Sequence, residues 1–331
     1  MTTRGTTLLV LASISTFCLA HAEPPPVFVL KWGGPPSGTG LGEFQTPYGL
    51  CVGPLGHVFV ADTENNRIQV FDSSGVFMSA WGTFGSGTGQ FNLPEDVAVA
   101  PDGLVYVADT SNHRIQKFSS TGAFILQWGG QGSGAGQFNS PSGISVGPDG
   151  SVYVADTQNH RIQKFTSAGA LVLEWGSAGS GVGQFTQPVG VAVDGNDNVY
   201  VVDPHQVQKF GGDGNFVLSW GTGGHDLGEF AYPSGVAVDN LGNVYVVESR
   251  FDVPGQAHRA QKFTDSGVFL STWGSLGIGD GQFNTPQGVA ADSQGNVYVA
   301  DTANHRIQKF RQGTVAVKPR AWSQVKDAYR D

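Results

Sequence analysis

A Trp-Gly pair returns six times along this chain, at Trp32, Trp81, Trp128, Trp175, Trp220 and Trp273, with spacings of 49, 47, 47, 45 and 53 residues. A repeat period of this size marks an array of similar supersecondary units, and it outranks any local reading of single segments. Each pair is followed by a Gly-Gln/Glu-Phe triplet, ending at Phe44, Phe91, Phe138, Phe185, Phe230 and Phe283. A proline, an apolar run, a Gly- or Asn-containing turn, a Val-Tyr-Val-like run and an Ile-Gln-Lys-Phe-like run complete the unit.

Each unit holds four candidate strands. In the third, Gly143–Val146 alternates, Pro148-Asp149-Gly150 makes a turn, and Val152–Ala155 begins a second strand. Arg161–Phe165 follows the Asp156–His160 loop, and Ala170–Trp175 closes the unit. Short β-branched and aromatic runs parted by Asp-Gly or Gly turns are hairpin signals, and nothing between them has helical periodicity. The abundant glycine, 49 residues, sits in these turns and has no collagen-like period. Six such units predict an all-β, six-bladed β-propeller of four-stranded antiparallel blades. An open solenoid is disfavoured because the chain carries a means of closure. The sixth unit lacks its fourth strand, and Phe28 to Trp32 repeats the spacing of Phe77 to Trp81. Val27–Trp32 is therefore expected to pair in the last blade and remove its open edge.

Residues 1–22 read as a signal peptide. Arg4 precedes an apolar run from Leu8 to Ala20 that is short for a membrane span, and Ala20-His21-Ala22 has the small-x-small form of a cleavage site. The expected product begins near Glu23 and is secreted or periplasmic, with the propeller over 23–311 and a tail over 312–331. No other stretch is long and apolar enough to span a membrane. Cleavage would remove Arg4, the leader's only charged side chain, and take the net charge from −9 to −10. That acidity argues against nucleic acid as a partner, because phosphate binding needs clustered Lys and Arg. Only Cys51 would remain, so no internal disulfide is possible.

The runs Asn112–Gln116, Asn159–Gln163 and Asn304–Gln308, each reading Asn-His-Arg-Ile-Gln after an Asp-Thr, resemble the signature of the NHL-repeat family, and Asn65–Gln69 is a near copy with Asn66 in place of His. The resemblance recurs in register from Val27 to Phe310. Repeats four and five depart from it: Asp203–Lys209 lacks the Asn-His-Arg run, and the fifth begins at Glu248 and carries a longer loop.

Several residues are candidates for function. The recurring Asp62, Asp109, Asp156 and Asp301, with Arg67, Arg114, Arg161 and Arg306, repeat too regularly for catalysis and read as architecture. His113, His160 and His305 read as half-exposed loop residues. The residue after each proline is expected to face the channel mouth, where propeller loops converge on ligands; it is Tyr48, Glu95, Ser142, Val189, Ser234 and Gln287 in turn. The resemblance extends to the six-bladed peptidyl-α-hydroxyglycine amidating lyase, which implies zinc-binding histidines at this kind of position, but none of the six is His. Six-bladed lactonases of the gluconolactonase kind imply a divalent cation held by carboxylates and an Asn; here Glu95-Asp96 is the sole acidic pair at the mouth, too few oxygens for Ca²⁺. Asp194–Asn198 superficially matches an EF-hand start, but Val199 and His205 stand where Gly and Glu belong, so it reads as a turn. The Gly-Ser-Gly-x-Gly runs at Gly85–Gly89 and Gly132–Gly136 read as flexible connectors rather than phosphate loops.

The breaks in symmetry add a second candidate region. Blade four has a shortened loop and blade five a lengthened one, which points to a pocket between them built from His205, His225, Asp226, Arg250, Asp252 and His258. The tail places Trp322, Val325 and Tyr329 at helix-like spacing. The resulting expectation is a secreted, monomeric, non-enzymatic binding module that presents one face to a protein, peptide or glycan, uses no cofactor and does not bind nucleic acid. The alternatives are a Zn- or Ca-dependent lyase or lactonase-type hydrolase, and an RNA-binding propeller.

Overall fold

The structure, a computed structural model, describes residues 23–249 and 258–313. Within them lie six four-stranded antiparallel sheets. In blade 1 the strands run outward as Pro47–Val52, Val58–Asp62, Arg67–Phe71 and Phe77–Trp81. The first strands of all six blades contact one another in a closed circuit, blade 6 meeting blade 1. Second strands such as Val105–Asp109 are buried along their whole length, whereas outer strands such as Phe124–Gly129 alternate between half-buried and exposed residues. That gradient suits runs of Val-Tyr-Val inside and period-two sequences outside.

Closure occurs as the terminal spacing predicts. Val27–Gly33 pairs antiparallel with Arg306–Arg311, from Val27 opposite Arg311 to Gly33 opposite Arg306, and becomes the outer strand of blade 6. Apolar cores fill the seams rather than the blade centres. One joins Trp32, Tyr298 and Ile307 of blade 6 to Phe44, Leu50 and Phe71 of blade 1, and five more repeat the arrangement around the ring. The six triplet phenylalanines are fully buried. Each meets the aromatic ring that ends its blade's third strand, as Phe44 meets Phe71 at 5.4 Å, with Trp32 of the preceding blade 5.7 Å from the same ring.

The family-like signature is consumed by this architecture. Asp62, Asp109, Asp156, Glu248 and Asp301 end their second strands with no solvent exposure. The arginine opening each third strand donates Nε–H to that carboxylate at 2.6–2.8 Å. Its other nitrogens reach the Gly-rich loop leading into the same blade; Arg67 donates to the carbonyls of Thr39, Gly40 and Glu43. Gln69 and Asn65 divide their amides between Asp62 and the same loop. These loops are thus pinned by guanidinium and amide groups, which corrects their reading as flexible connectors.

The remaining signature residues join blade to blade. A short 3₁₀ turn such as Thr110–Asn112 carries the chain into a left-handed residue, His113. His113 Nδ1 accepts the N–H of Ser140 in blade 3, and His305 accepts that of Thr46 across the closure. Asn66 substitutes through Oδ1, taking the N–H of Leu93. The threonine after each aspartate donates to the proline carbonyl of the next blade, including Thr302 to Pro47. In blade 4, Asp203 holds its loop directly through the N–H groups of Thr186 and Gln187. Asp194–Asn198 is a turn, with Asp194 Oδ1 accepting the N–H groups of Asn196 and Asn198.

The N-terminal residues fill a gap in this pattern. Lys117, Lys164, Lys209 and Lys309 each donate to a turn carbonyl of the next blade. Lys262 instead meets the carboxylate of Glu23, whose N–H donates to Leu270 O.

Two outcomes follow. Removing residues 23–33 is expected to abolish a single cooperative unfolding transition and enlarge the hydrodynamic radius, because blade 6 loses its outer strand; a deletion variant as compact and stable as the parent, by size exclusion and circular dichroism, would refute closure by this strand. Arg114→Ala is expected to cost about 3–5 kcal/mol by leaving Asp109 buried without its cation, against about 1 kcal/mol for His113→Ala, which loses one hydrogen bond; similar urea midpoints for the two would contradict this division of roles.

Candidate functional site

The circuit of first strands encloses a central channel with a cavity of about 640 Å³. At one mouth the residues after the blade prolines stand together: Tyr48, Glu95, Ser142, Val189, Ser234 and Gln287 all line it. The loops between second and third strands reach the same mouth through Ser111, Gln158, Pro204 and Ser249. Deeper in, the walls become Val, Ala and Ile. Among the described residues the ionisable groups in this lining are Tyr48, Cys51, Glu95, Asp96 and Tyr232, and no Lys, Arg or His belongs to it.

Blade 2 breaks the symmetry. In the other five blades the residue after the mouth position is glycine: Gly49, Gly143, Gly190, Gly235 and Gly288. A Cβ on Gly49, Gly143, Gly235 or Gly288 would strike the neighbouring blade, at the carbonyls of Glu95, Val189, Gln287 and Tyr48 respectively, and one on Gly190 would strike Val202 of its own blade. Glycine is there for close approach of backbones. Blade 2 has Asp96 at this position. One carboxylate oxygen accepts Asp96's neighbouring N–H, that of Val97, and the other crosses the seam to accept the N–H of Ile144 in blade 3, both at 2.9 Å. On its other side Asp96 lies against Gly49.

The electrostatics follow from burial without a cation. Desolvation pushes the Asp96 carboxyl up to about 7, the Ile144 and Val97 N–H groups opposing it and the charge of Glu95 adding to it. Burial also raises Glu95, with a hydrogen bond from Ser142 as the opposing influence. Tyr48 is driven up to about 12 by burial and by Glu95. The Cys51 thiol is raised by burial first and by Asp96 second. A cleft with this concentration of perturbed groups is the part of the molecule best suited to ligand chemistry.

Of the residues singled out from sequence, Tyr48, Glu95 and Gln287 are brought together at the mouth. The others are not part of its lining. His205 packs edge-on against Tyr232 with centroids 5.4 Å apart, and its Nδ1 lies 3.2 Å from Phe230 O. His225 and Asp226 offer their carbonyls to Arg259. His258 is buried and its Nδ1 accepts the N–H of Thr285, which makes it blade 5's counterpart of His113 and His305. Arg250 and Asp252 lie outside the described residues. Asp96 had no separate role in the sequence reading, although the signal was present as Pro-Glu-Asp against five copies of Pro-x-Gly.

Among the described residues no three His, Cys, Asp or Glu side chains group as metal ligands. The mouth offers one Glu, one Asp, hydroxyls and an amide, which does not match a three-histidine zinc site. No helix of the described residues is long and apolar enough to cross a membrane.

Asp96 makes stability depend on pH in a defined direction. Its folded pKa lies above the ordinary carboxylate value, so the folded chain favours the protonated form; that contribution is complete below about pH 4 and is lost as pH rises through about 7. Asp96→Asn, which keeps shape but cannot ionise, is expected to gain on the parent by about 2–4 °C or more in Tm between pH 5 and pH 8. Parallel melting profiles for the two proteins would remove the assignment.

Among family models, the NHL repeat matches residues 44–71, 91–118, 138–165 and 283–310. Each segment runs from the buried triplet phenylalanine to the end of the third strand in blades 1, 2, 3 and 6. Human NHL repeat-containing protein 3 is 40% identical over 55 residues, 16% of this chain and 16% of that protein. The B-box type zinc finger protein ncl-1 of Caenorhabditis elegans is 40% identical over 63 residues, 19% of this chain and 7% of its own length. The chain therefore spans only a small part of these relatives. Among solved structures, a protein of unknown function from Bacteroides thetaiotaomicron superposes with a TM-score of 0.64 at 17% identity, covering 85% of this chain and 76% of that one. A gluconolactonase from Xanthomonas campestris gives 0.57 at 13% identity, over 87% and 98%, and a streptogramin B lyase 0.54 at 15%, over 82% and 94%. Likeness at such identities is likeness of fold. Four of the six blades match the NHL repeat, and the chain folds as a closed six-bladed β-propeller.

Proposed function

We propose that the protein is an exported, non-enzymatic binding module that receives a protein, peptide or glycan ligand at the channel mouth. The observation that carries this reading is the contrast between repeated and unrepeated polar residues. The repeated Asp, Arg, Asn, His and Gln side chains spend their hydrogen bonds on the ring itself. The unrepeated ones, Tyr48, Glu95 and Gln287, line the cavity. A fold made of near-identical units gains an individual binding surface only where the units differ. The leader-like residues 1–22 support export.

A metal-dependent lyase or lactonase is the competing reading, since propellers with those activities share the fold. Fold alone does not carry their chemistry here.

The test is capture from the culture fluid or periplasm of the source cell with immobilised residues 23–331, beside a variant in which Ser234→Trp obstructs the mouth. The expected result is a ligand retained by the parent and reduced at least tenfold on the obstructed variant, with metal content well below stoichiometric. Stoichiometric tightly bound zinc or calcium, or equal capture by both proteins, would overturn the proposal.

A further inference from the structure

We infer that the polypeptide ligand of this channel inserts a cationic side chain, lysine or arginine, that docks on Glu95 and Asp96. The inference rests on the channel-mouth reading and specifies the chemistry it would recognise. Three observations converge on it.

The first is the cavity's charge. Among the described residues both charged side chains of its lining are acidic, and none is basic. The second is how the fold treats the buried carboxylates that end its second strands, beside which Glu95 and Asp96 are half-buried. Asp62, Asp109, Asp156, Glu248 and Asp301 each have a guanidinium within 2.6–2.8 Å. Glu95 has the Ser142 hydroxyl, and Asp96 has two backbone N–H groups. A carboxylate withdrawn from water needs compensation by charge or by several donors. The protein supplies arginine to five of the six strand-end carboxylates, leaves Asp203 to two backbone N–H groups, and supplies no cation among the described residues of the channel. The third is the cost at position 96. Five blades keep glycine, and at four of them a Cβ would strike the neighbouring blade's backbone. Blade 2 places a carboxylate there, a departure that close packing does not call for and that an external cation would exploit.

The cavity shape favours a side chain over a larger group. Its walls below the acidic pair are Val, Ala and Ile, suited to the methylene stem of lysine or arginine, whereas the hydroxyls and amides of Tyr48, Ser142, Ser234 and Gln287 ring the mouth where peptide backbone would lie. The groups facing the pair are Tyr48 and Cys51 from blade 1 and Ser142 from blade 3. None of these is cationic. Because the cation favours the ionised carboxylates, binding should release protons and tighten as pH rises.

The experiment uses decalysine and its fully Nε-acetylated form as probes, with residues 23–331 as receptor, in calorimetric titrations at pH 6 and pH 8. Two isosteric double variants remove the same charge from different places: Glu95→Gln with Asp96→Asn in the channel, and Glu64→Gln with Asp102→Asn on the exposed surface. The inference expects decalysine to bind the parent, to bind more tightly at pH 8, and to lose at least tenfold in affinity on the channel variant but not on the surface variant. It expects the acetylated peptide not to bind. No binding to the parent, equal losses on both variants, or equal affinity for the acetylated peptide would overturn it. So would calcium binding without peptide that disappears in the channel variant. If decalysine fails while the captured ligand is still lost from Ser234→Trp, only the cationic assignment falls and the channel-mouth reading stands.

Discussion

Asp109 and its four counterparts sit at the ends of second strands, sealed from water, each with an arginine against it. Burial alone raises the proton affinity of such a carboxyl, as at Asp62 and Asp301, and the arginine, asparagine and backbone donors act in the opposite direction. The guanidinium has five donors, and one carboxylate cannot use them all. The remainder go to the carbonyls of the Gly-rich loop, which fixes how that loop delivers the chain to the next first strand. The channel mouth is therefore shaped indirectly, by ion pairs that never touch it.

Histidine extends this control from blade to blade. Because His113 and His305 stand in left-handed turns, their rings point across a seam to the N–H of a residue just before a proline. The donor in question has no strand partner, since its own backbone is also left-handed at Thr46, Ser140 and Thr285. A signature that looks like a row of catalytic side chains is a means of satisfying backbone donors that a curved ring leaves over.

The strands, the blade count and the closing strand were legible in the sequence because each follows from a local pattern repeated in register: Trp-Gly, the triplet phenylalanine, Val-Tyr-Val. Tyr48, Glu95 and Gln287 could be placed at the mouth because they follow a proline at a fixed offset. Asp96 was not legible in the same way. Its meaning lies in Gly49 and Ile144, which belong to other blades and meet it only when the ring is formed. His258 was obscured for the converse reason: the insertion after Glu248 separates it from its aligned position, so a seam residue resembled a loop ligand. The Gly-rich runs misled because composition reports what a loop is capable of, while its order is decided by Arg67 and Asn65 from elsewhere in the blade.

The pairing of Val27 with Arg311 also bears on how the molecule comes into being. A chain made from its N-terminus holds one strand of blade 6 from the outset and acquires that strand's three partners last. Blades 1 to 5 can form as they are synthesised, since their strands are neighbours in sequence, but the first-made strand must wait, unpaired, for the whole length to follow. Any carrier that keeps the emerging chain extended until synthesis is complete would let this longest-range contact form in a single molecule, before an idle edge could pair with a neighbour's.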